Sequence, residues 1–456
     1  MQLFLVFSLA VQAAYGIQPY GSKTPYNHGN LSEVETPPGC KPVHINMLAR
    51  HGERYPSSDD LKAFAAFLQK LNVLHNTTGP YIYKALTLPW TLPASYKSKL
   101  SSELSVAGER QHYGIARRYH ARYPSVFSKQ YWNADYEFVS TATLRTVQSG
   151  NSFAYGLFEG RGPVGRKGFQ PVAIRFSGPK DHDKVLRPYS MCPRYDQVVD
   201  GRNGMLEPRK FAQGSEMQRV ISNVKSRLGM PKNAELNVEV VEKMFMLCAF
   251  LTVNDNDTSW CSLFEEEDLN VLEYYLDMWQ YYEHGYGHEI TYKSICPLVA
   301  EIAQTIKSFT KKKIPNGIFR FAHSGGIISL QSILSLYRDP IPLTAGNYHK
   351  LSNRTFRIAR NAPMSSNIAF VLHECTDGYK VQVLVNERLT VLPCCKSAVC
   401  KLDKFLECYE AIGSNCDLEK MCKLDLPNPK SDAVLFARGQ LVIMILCVTL
   451  SFLRLQ

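Results

Sequence analysis

The sequence predicts an α/β fold, a sheet with helices packed on both faces, and three observations carry that prediction. Around Val43–Met47, Phe138–Val139 and Ile318–Ala322, a strand-like apolar pattern runs directly into a helical or turn pattern. Each of these junctions carries an arginine or a histidine. The stretch between the second and third junctions has mainly helical patterning. A chain of 456 residues suffices for one large domain with an insertion, or for two domains, around a sizeable core.

In chain order, residues 1–16 (MQLFLVFSLAVQAAYG) come first. The apolar run from Leu3 to Val11 is too short to span a membrane, and small residues follow at Ala13, Ala14 and Gly16. This is the pattern of a secretory signal peptide, although it lacks the usual positive charge at its start. The next informative stretch is KPVHINML, in which Val43, Ile45 and Met47 alternate as in a strand. It leads into NMLARHGERYP, where His51 lies between Arg50 and Arg54. Arginine neighbours disfavour an imidazolium, so the cluster is a poor pH switch. It makes sense if a strong anion sits between the guanidiniums and the imidazole acts on it. Gly52 would let the backbone approach a ligand, and Pro56 would stiffen the exit.

The second junction is DYEFVSTATLRTVQSGNSFAYGLF. Ser140 or Thr141 is the expected N-cap, Leu144, Val147, Ala154 and Leu157 give roughly helical spacing, and Arg145 falls in the first turn. The third is NGIFRFAHSGGIISLQSILSLYRD. There His323 ends a strand, and Ile327, Leu330, Ile333/Leu334 and Tyr337 are the expected buried stripe of a helix. In open α/β sheets, ligands bind beyond the carboxyl ends of strands, where helix N-termini present free N–H groups to anions. Two histidines and three arginines converging there would form a phosphate pocket.

Several other motifs carry weaker signals. GRGPVG (Gly160–Gly165) spells a dinucleotide-binding pattern, but it follows a helix and contains Pro163. HGYGHE (His284–Glu289) has two glycines between its histidines, so a loop is expected rather than a shared metal face. DHD (Asp181–Asp183) is expected to be a polar turn, and VLEYYLDMWQYY a packed helix.

The 13 cysteines include Cys447 near the C-terminus, and the other twelve form an even set that favours disulfides over metal. Cys248 and Cys261 flank a short loop and are a candidate pair. Six cysteines within residues 394–422 are expected to staple a small C-terminal part. Sequons at Asn30, Asn76, Asn256 and Asn353 are candidate glycosylation sites. Residues 431–456 begin with small residues, Ser431-Asp432-Ala433, and end in a short apolar run, Leu441–Leu453. That is the pattern of a GPI-anchor signal, with a short tail anchor or a core helix as the alternatives. The expected location is the secretory pathway and the cell surface.

Composition narrows the partners. The chain is 45% hydrophobic and 20% charged, ordinary for a globular protein, with a net charge of +11. No Lys/Arg-rich block resembles a nucleic-acid arm, the longest run being Lys311-Lys312-Lys313. The excess charge would exert a mild pull on anionic small molecules.

RHGERYP resembles the RHGxRxP motif of the histidine phosphatase superfamily branch that contains histidine acid phosphatases and phytases. The similarity extends along most of the chain, through LSVAGERQHYGIARRY, STATLRTVQSGNSF and CSLFEEEDLNVLEYYLDMWQYYEHGYGHE. DHDKVLRPYSMCP and PLTAGNYHKLSNRTFRIARNAPMSSNIAFVLHEC are similar to the multiple inositol polyphosphate phosphatase subgroup. The resemblance implies a histidine-phosphatase-like core with a central, mainly parallel sheet, from residues 34–150 and 297–430. It also implies a mainly helical cap inserted over 151–296. His51 would attack phosphorus to give a phosphohistidine that water later hydrolyses. Arg50, Arg54, Arg145 and His323 would hold the phosphoryl oxygens, with no metal and no cofactor. A Cys40–Cys375 bridge is a further implication.

One departure stands out. The larger family has His-Asp at the third junction and the subgroup His-Ala-Glu, the carboxyl group protonating the leaving alcohol. Here the text is His323-Ser324-Gly325-Gly326. Proton donation of this kind is typically worth about 10²–10⁴-fold in rate. The expected function is hydrolysis of phosphomonoesters on inositol polyphosphates such as phytate, with altered or reduced activity. Glu53, Asp59 and Asp60 are candidate replacement acids, or substrate or water could supply the proton. The rivals are a cell-surface pseudophosphatase that binds polyphosphates with little turnover and a broad acid phosphatase.

Overall fold

A computed structural model of the chain describes residues 19–78, 90–96, 98–127, 130–179, 181–231 and 233–424. The expected signal peptide and the hydrophobic tail lie outside these residues. The elements, in chain order, are β1 (Cys40–Arg50), α1 (Ser58–Thr78), α2 (Val106–Arg122), β2 (Tyr136–Ser140), α3 (Leu144–Phe158) and β3 (Ile174–Phe176). Then come α4 (Pro193–Val199), α5 (Leu206–Gln213), α6 (Ser215–Arg227), α7 (Val238–Asn254), α8 (Glu266–Glu283), α9 (Glu289–Lys293) and α10 (Cys296–Lys312). The last group is β4 (Gly317–Ala322), α11 (Ser324–Ile333), α12 (Ile358–Asn361), β5 (Asn367–Cys375), β6 (Gly378–Val385), β7 (Arg388–Thr390), β8 (Cys400–Lys401), α13 (Leu402–Ser414) and α14 (Leu418–Met421).

The sheet order is β3-β2-β4-β1-β5-β6-β7, with β8 on β6. From β3 to β1 the strands are parallel, and from β1 onward each neighbour is antiparallel. The parallel half carries all three junctions. β1 is buried continuously from His44 to Arg50 because both sheet faces are covered. Ile45, Met47 and Ala49 belong to one core with Phe319 and Phe321 of β4 and Phe153 and Leu157 of α3. Leu48 and Ala322 belong to the core on the other face, with Ile327 and Leu330 of α11. Alternation along each strand therefore feeds two cores rather than one core and solvent.

That second core also runs through the helices of the middle segment, taking in Phe245 and Phe250 of α7 and Tyr274 and Met278 of α8. Two details depart from the expected 151–296 cap. α3 continues to Phe158, and β3 pairs in register with β2 (Ser140↔Phe176), so the start of this stretch belongs to the sheet. Conversely, Phe64, Phe67 and Leu68 of α1 pack into the same core as α7, so α1 joins the helical layer.

Six disulfides link the twelve described cysteines, among them Cys40–Cys375 and Cys248–Cys261. The C-terminal cysteines do not form a closed set. Cys394–Cys408 and Cys395–Cys400 are local, but Cys416 bonds Cys296 and Cys422 bonds Cys192. The cause is helix packing: Gly413 lets α13 lie directly against Ala300 of α10, where a Cβ would come within 2.7 Å. α11 also ends earlier than its apolar stripe suggests, because Ser335 and Tyr337 take left-handed backbone angles beyond its cap. Among the described residues, no helix is long and apolar enough to cross a membrane.

Candidate active site

The three junctions are stitched together by backbone hydrogen bonds. His51 N–H donates to Ala322 O (3.0 Å), Arg50 N–H to Ser366 O (2.7 Å), and Thr141 N–H to Phe321 O (3.1 Å). The imidazoles of His51 and His323 consequently face each other edge-on, with centroids 5.6 Å apart. His51 is 4% exposed, and its Nδ1–H donates to Gly52 O at 2.9 Å. That bond places the proton on Nδ1 and leaves the Nε2 lone pair free. Burial first, then Arg50, Arg145 and His323, hold the His51 pKa well below its ordinary value, so the ring stays neutral into acid.

His323 is fixed differently. Arg145 Nη2 donates to its Nδ1 at 3.4 Å, which leaves Nε2–H to donate to Thr141 Oγ1 at 3.2 Å. Burial, then Arg145 and Arg187, push its pKa well below ordinary as well. Thr141 is not the N-cap of α3; that place falls to Thr143, and the buried Thr141 hydroxyl lies 2.9 Å from Thr146 Oγ1 instead.

Arg50 Nη1 donates to Ser22 O (2.7 Å) and Ala362 O (2.9 Å). Arg54 donates to Tyr55 O (2.8 Å), lies over the Phe250 ring (5.4 Å) and stands 3.8 Å from Asp60. The Nε atoms of Arg50, Arg145 and Arg187 are buried without a hydrogen-bond partner among the described residues. Burial and neighbouring cations lower the pKa of Arg50 to about 9 and of Arg145 to about 10. Both still carry charge at neutral pH, so the junctions enclose a concentrated, incompletely neutralised positive field.

Two cations here are singled out by no strand or helix period in the sequence. Lys23 precedes β1 by many residues, yet burial, then Arg54 and Arg50, lower its pKa to about 7. Arg187 follows the DHD turn, where Asp183 accepts from the Leu186 N–H (2.8 Å) and its carbonyl from the Arg187 N–H (3.2 Å). DHD is thus a loop brace that delivers an arginine. A lone basic residue in a loop has no periodicity that would single it out.

Gly52 also has a packing reason. A Cβ there would come within 2.6 Å of Gly108 Cα, so this glycine lets the loop touch α2. The three candidate acids also separate. The Asp59 side chain is exposed and pairs with Lys62. Asp60 accepts from Ser57 and lies 3.7 Å from Lys243; although burial opposes it, Lys23, Ser57 and Arg54 keep its pKa below ordinary. Glu53 is 2% exposed with Oε1 unpartnered, and burial outweighs Arg50 to push its pKa up to about 8. No carboxylate stands on the first turn of α11.

Of the sequons, Asn30, Asn256 and Asn353 are exposed, and Asn76 lies in the last turn of α1. A groove of about 450 Å³ between α10 and α13, lined by Lys307, Lys311 and Glu410, contains none of the candidate site residues.

A neutral, tautomer-fixed imidazole with guanidiniums about it, at the carboxyl ends of parallel strands, is an arrangement chemically suited to an anion. The chain belongs to the histidine phosphatase superfamily, branch 2, whose model matches residues 43–386, and it is a phosphoric monoester hydrolase. It is 30% identical to multiple inositol polyphosphate phosphatase 1 of Gallus gallus, over 90% of this chain and 91% of that one. It is 28% identical to the Homo sapiens protein of the same name, over 92% of each. Two solved structures share the fold. The multiple inositol polyphosphate phosphatase of Bifidobacterium longum, in complex with inositol hexasulfate, has a TM-score of 0.64 at 18% identity and covers 87% of this chain and 98% of its own. The phytase from D. castellii has a TM-score of 0.73 at 16% identity, covering 89% and 87%.

Proposed function

We propose that this protein hydrolyses phosphomonoesters of inositol polyphosphates, phytate-like substrates first, through a phosphohistidine on His51. The observation that carries the proposal is the His51 ring itself: neutral, with Nδ1–H held by Gly52 O, so that Nε2 is the nucleophile. Arg50, Arg54 and Arg145 take the phosphoryl oxygens. His323 joins them once the phosphate draws Arg145 away and its freed Nδ1 takes up a proton, which the incoming anion favours. The similarity to named inositol polyphosphate phosphatases supports the substrate class, and Lys23 and Arg187 add charge suited to a polyanion. Asp59 and Asp60 are poorly placed to give a proton, the one solvated and the other held as an anion; Glu53 is uncharged and remains a candidate. The gap at Ser324-Gly325 favours turnover that is reduced for alkyl phosphates relative to aryl phosphates. Six disulfides support an oxidising, secretory setting, and the composition of the tail supports a GPI anchor.

The test is release of inorganic phosphate by the purified protein from phytate and from an aryl phosphate across about pH 4 to 7.5. His51→Ala is the control. Release from phytate that vanishes in His51→Ala is the expected result. No release from either substrate, with phytate still protecting the fold against heat, would instead support a binding protein.

A further inference from the structure

The space beside Gly325 is filled by another residue. A Cβ on Gly325 would come within 2.8 to 3.0 Å of Cε1, Nε2 and Nδ1 of His284, so this imidazole packs flat onto the first turn of α11. That turn begins at His323, whose ring faces His51. His284 sits at the C-cap of α8, and Ser329 Oγ of α11 donates to its carbonyl at 3.1 Å, which clamps the two elements together. The ring also has two aromatic neighbours, Tyr189 at 5.2 Å and Tyr195 at 6.3 Å between centroids. Tyr189 in turn interacts with Arg187 and Arg145, so it bridges the His284 wall to the cations of the pocket.

The hydrogen bonds of this ring assign its tautomer. Tyr195 OH donates to Glu283 O at 2.6 Å and so has only a lone pair to offer His284 Nδ1, 3.3 Å away. Nδ1 therefore carries a proton, and Nε2 is the nitrogen that gains or loses one. Glu283 Oε1 stands 3.7 Å from Nε2, a counter-charge for the protonated ring.

We infer that His284 is the proton donor that replaces the carboxylate absent from Ser324-Gly325, an inference that rests on the phosphohistidine reading above. As His51 Nε2 forms its bond to phosphorus and the P–O bond breaks, His284 Nε2–H gives its proton to the departing alkoxide, which leaves as the alcohol. Neutral His284 then accepts a proton from the water that attacks the phosphohistidine. The P–N bond breaks, phosphate departs, and both imidazoles return to their starting states. Burial lowers the His284 pKa while Glu283 opposes that shift; among the described residues Tyr195 and Tyr189, the latter beside Arg187, are further titratable groups facing the ring. The protonated ring is thus an acid-side form, and kcat should fall as pH rises.

The decisive experiment compares His284→Gln with wild type on phytate and on p-nitrophenyl phosphate, whose leaving group needs no proton. The expected result is a fall in kcat on phytate of about 10²-fold or more, KM little changed, with the aryl rate moving by less than about threefold. The unchanged aryl rate shows that the variant is folded. A Gly325→Glu change alone forces a side chain into the His284 ring and should not help. In a His284→Ala background the same change has the vacated space and should restore phytate turnover. Equal losses on both substrates, no loss on either, or a selective loss in Glu53→Gln instead would each overturn the assignment. Failure of the underlying reading is seen separately, as phytate hydrolysis that persists in His51→Ala or is absent from the protein with His51 intact.

Discussion

Two clusters of largely buried arginines in this molecule have opposite chemistry. In one, Arg354 donates to Asp277 through Nε (2.8 Å) and Nη2 (2.6 Å) and to Glu273 (3.0 Å), while Arg357 donates to Glu273 (2.8 Å). Two cations meet two carboxylates, and the remaining Asp277 oxygen accepts the Ile358 N–H. Burial works against the Arg354 charge, yet Asp277 and Glu273 keep its pKa above ordinary. In the other cluster, Arg50, Arg54, Arg145 and Arg187 gather with Lys23 around two neutral histidines. Asp60 lies beside Arg54 and Glu103 acts on Arg145, while Glu53 is held uncharged, so the cations outnumber these anions. The first cluster is complete and fastens α8 to the segment before α12. The second keeps an excess of cations, the imbalance that the proposed binding of a phosphorylated substrate would use.

The largest expected effect breaks the complete cluster. Asp277→Ala leaves Arg354 buried and half-paired and should cost about 3–5 kcal/mol of stability, measured by denaturant unfolding. Arg145→Met, which removes a cation from the uncompensated cluster, should leave unfolding of the free protein unchanged or stabilise it while reducing phosphate release. Equal destabilisation by both variants would erase the distinction.

A smaller effect comes from pH. Lys23 loses its charge as pH rises through about 7, and Glu53 gains one near 8, so both changes weaken an anion's hold in the same direction. Binding of inositol hexasulfate, followed by calorimetry, should weaken roughly tenfold or more between pH 6 and 8, one pKa unit being about 1.4 kcal/mol. Lys23→Met should flatten the lower part of that dependence. Affinity that rises with pH would contradict the charge assignment.

The contrast also explains what the sequence could disclose. The three junctions are legible because each combines a strand period, a helical or turn pattern and an arginine or histidine within a short stretch of chain. Arg50, His51, Arg54, Arg145 and His323 were found that way, and the structure brings them together. Lys23, Arg187 and His284 were not, because each stands in a loop or cap and reaches the site through tertiary packing alone. A loop between α8 and α9 is legible in HGYGHE, but nothing there shows that its first histidine lies on α11. Disulfide pairing was partly hidden for the same reason: Cys416 and Cys422 find partners through the packing of α13 and α14, not through their spacing. The strand β3 is three residues long, too short for an alternation to register.

The central claim, a neutral His51 acting as nucleophile within an uncompensated cationic pocket, is tested most directly by trapping the intermediate. The protein is mixed with phosphorus-labelled phytate, quenched in alkali within milliseconds to seconds, and the protein-bound label is mapped. A stoichiometric, alkali-stable and acid-labile label on the peptide containing His51, absent from His51→Ala, is the predicted result. Phosphate release by wild type with no such label, or a label that persists in His51→Ala, would contradict the account.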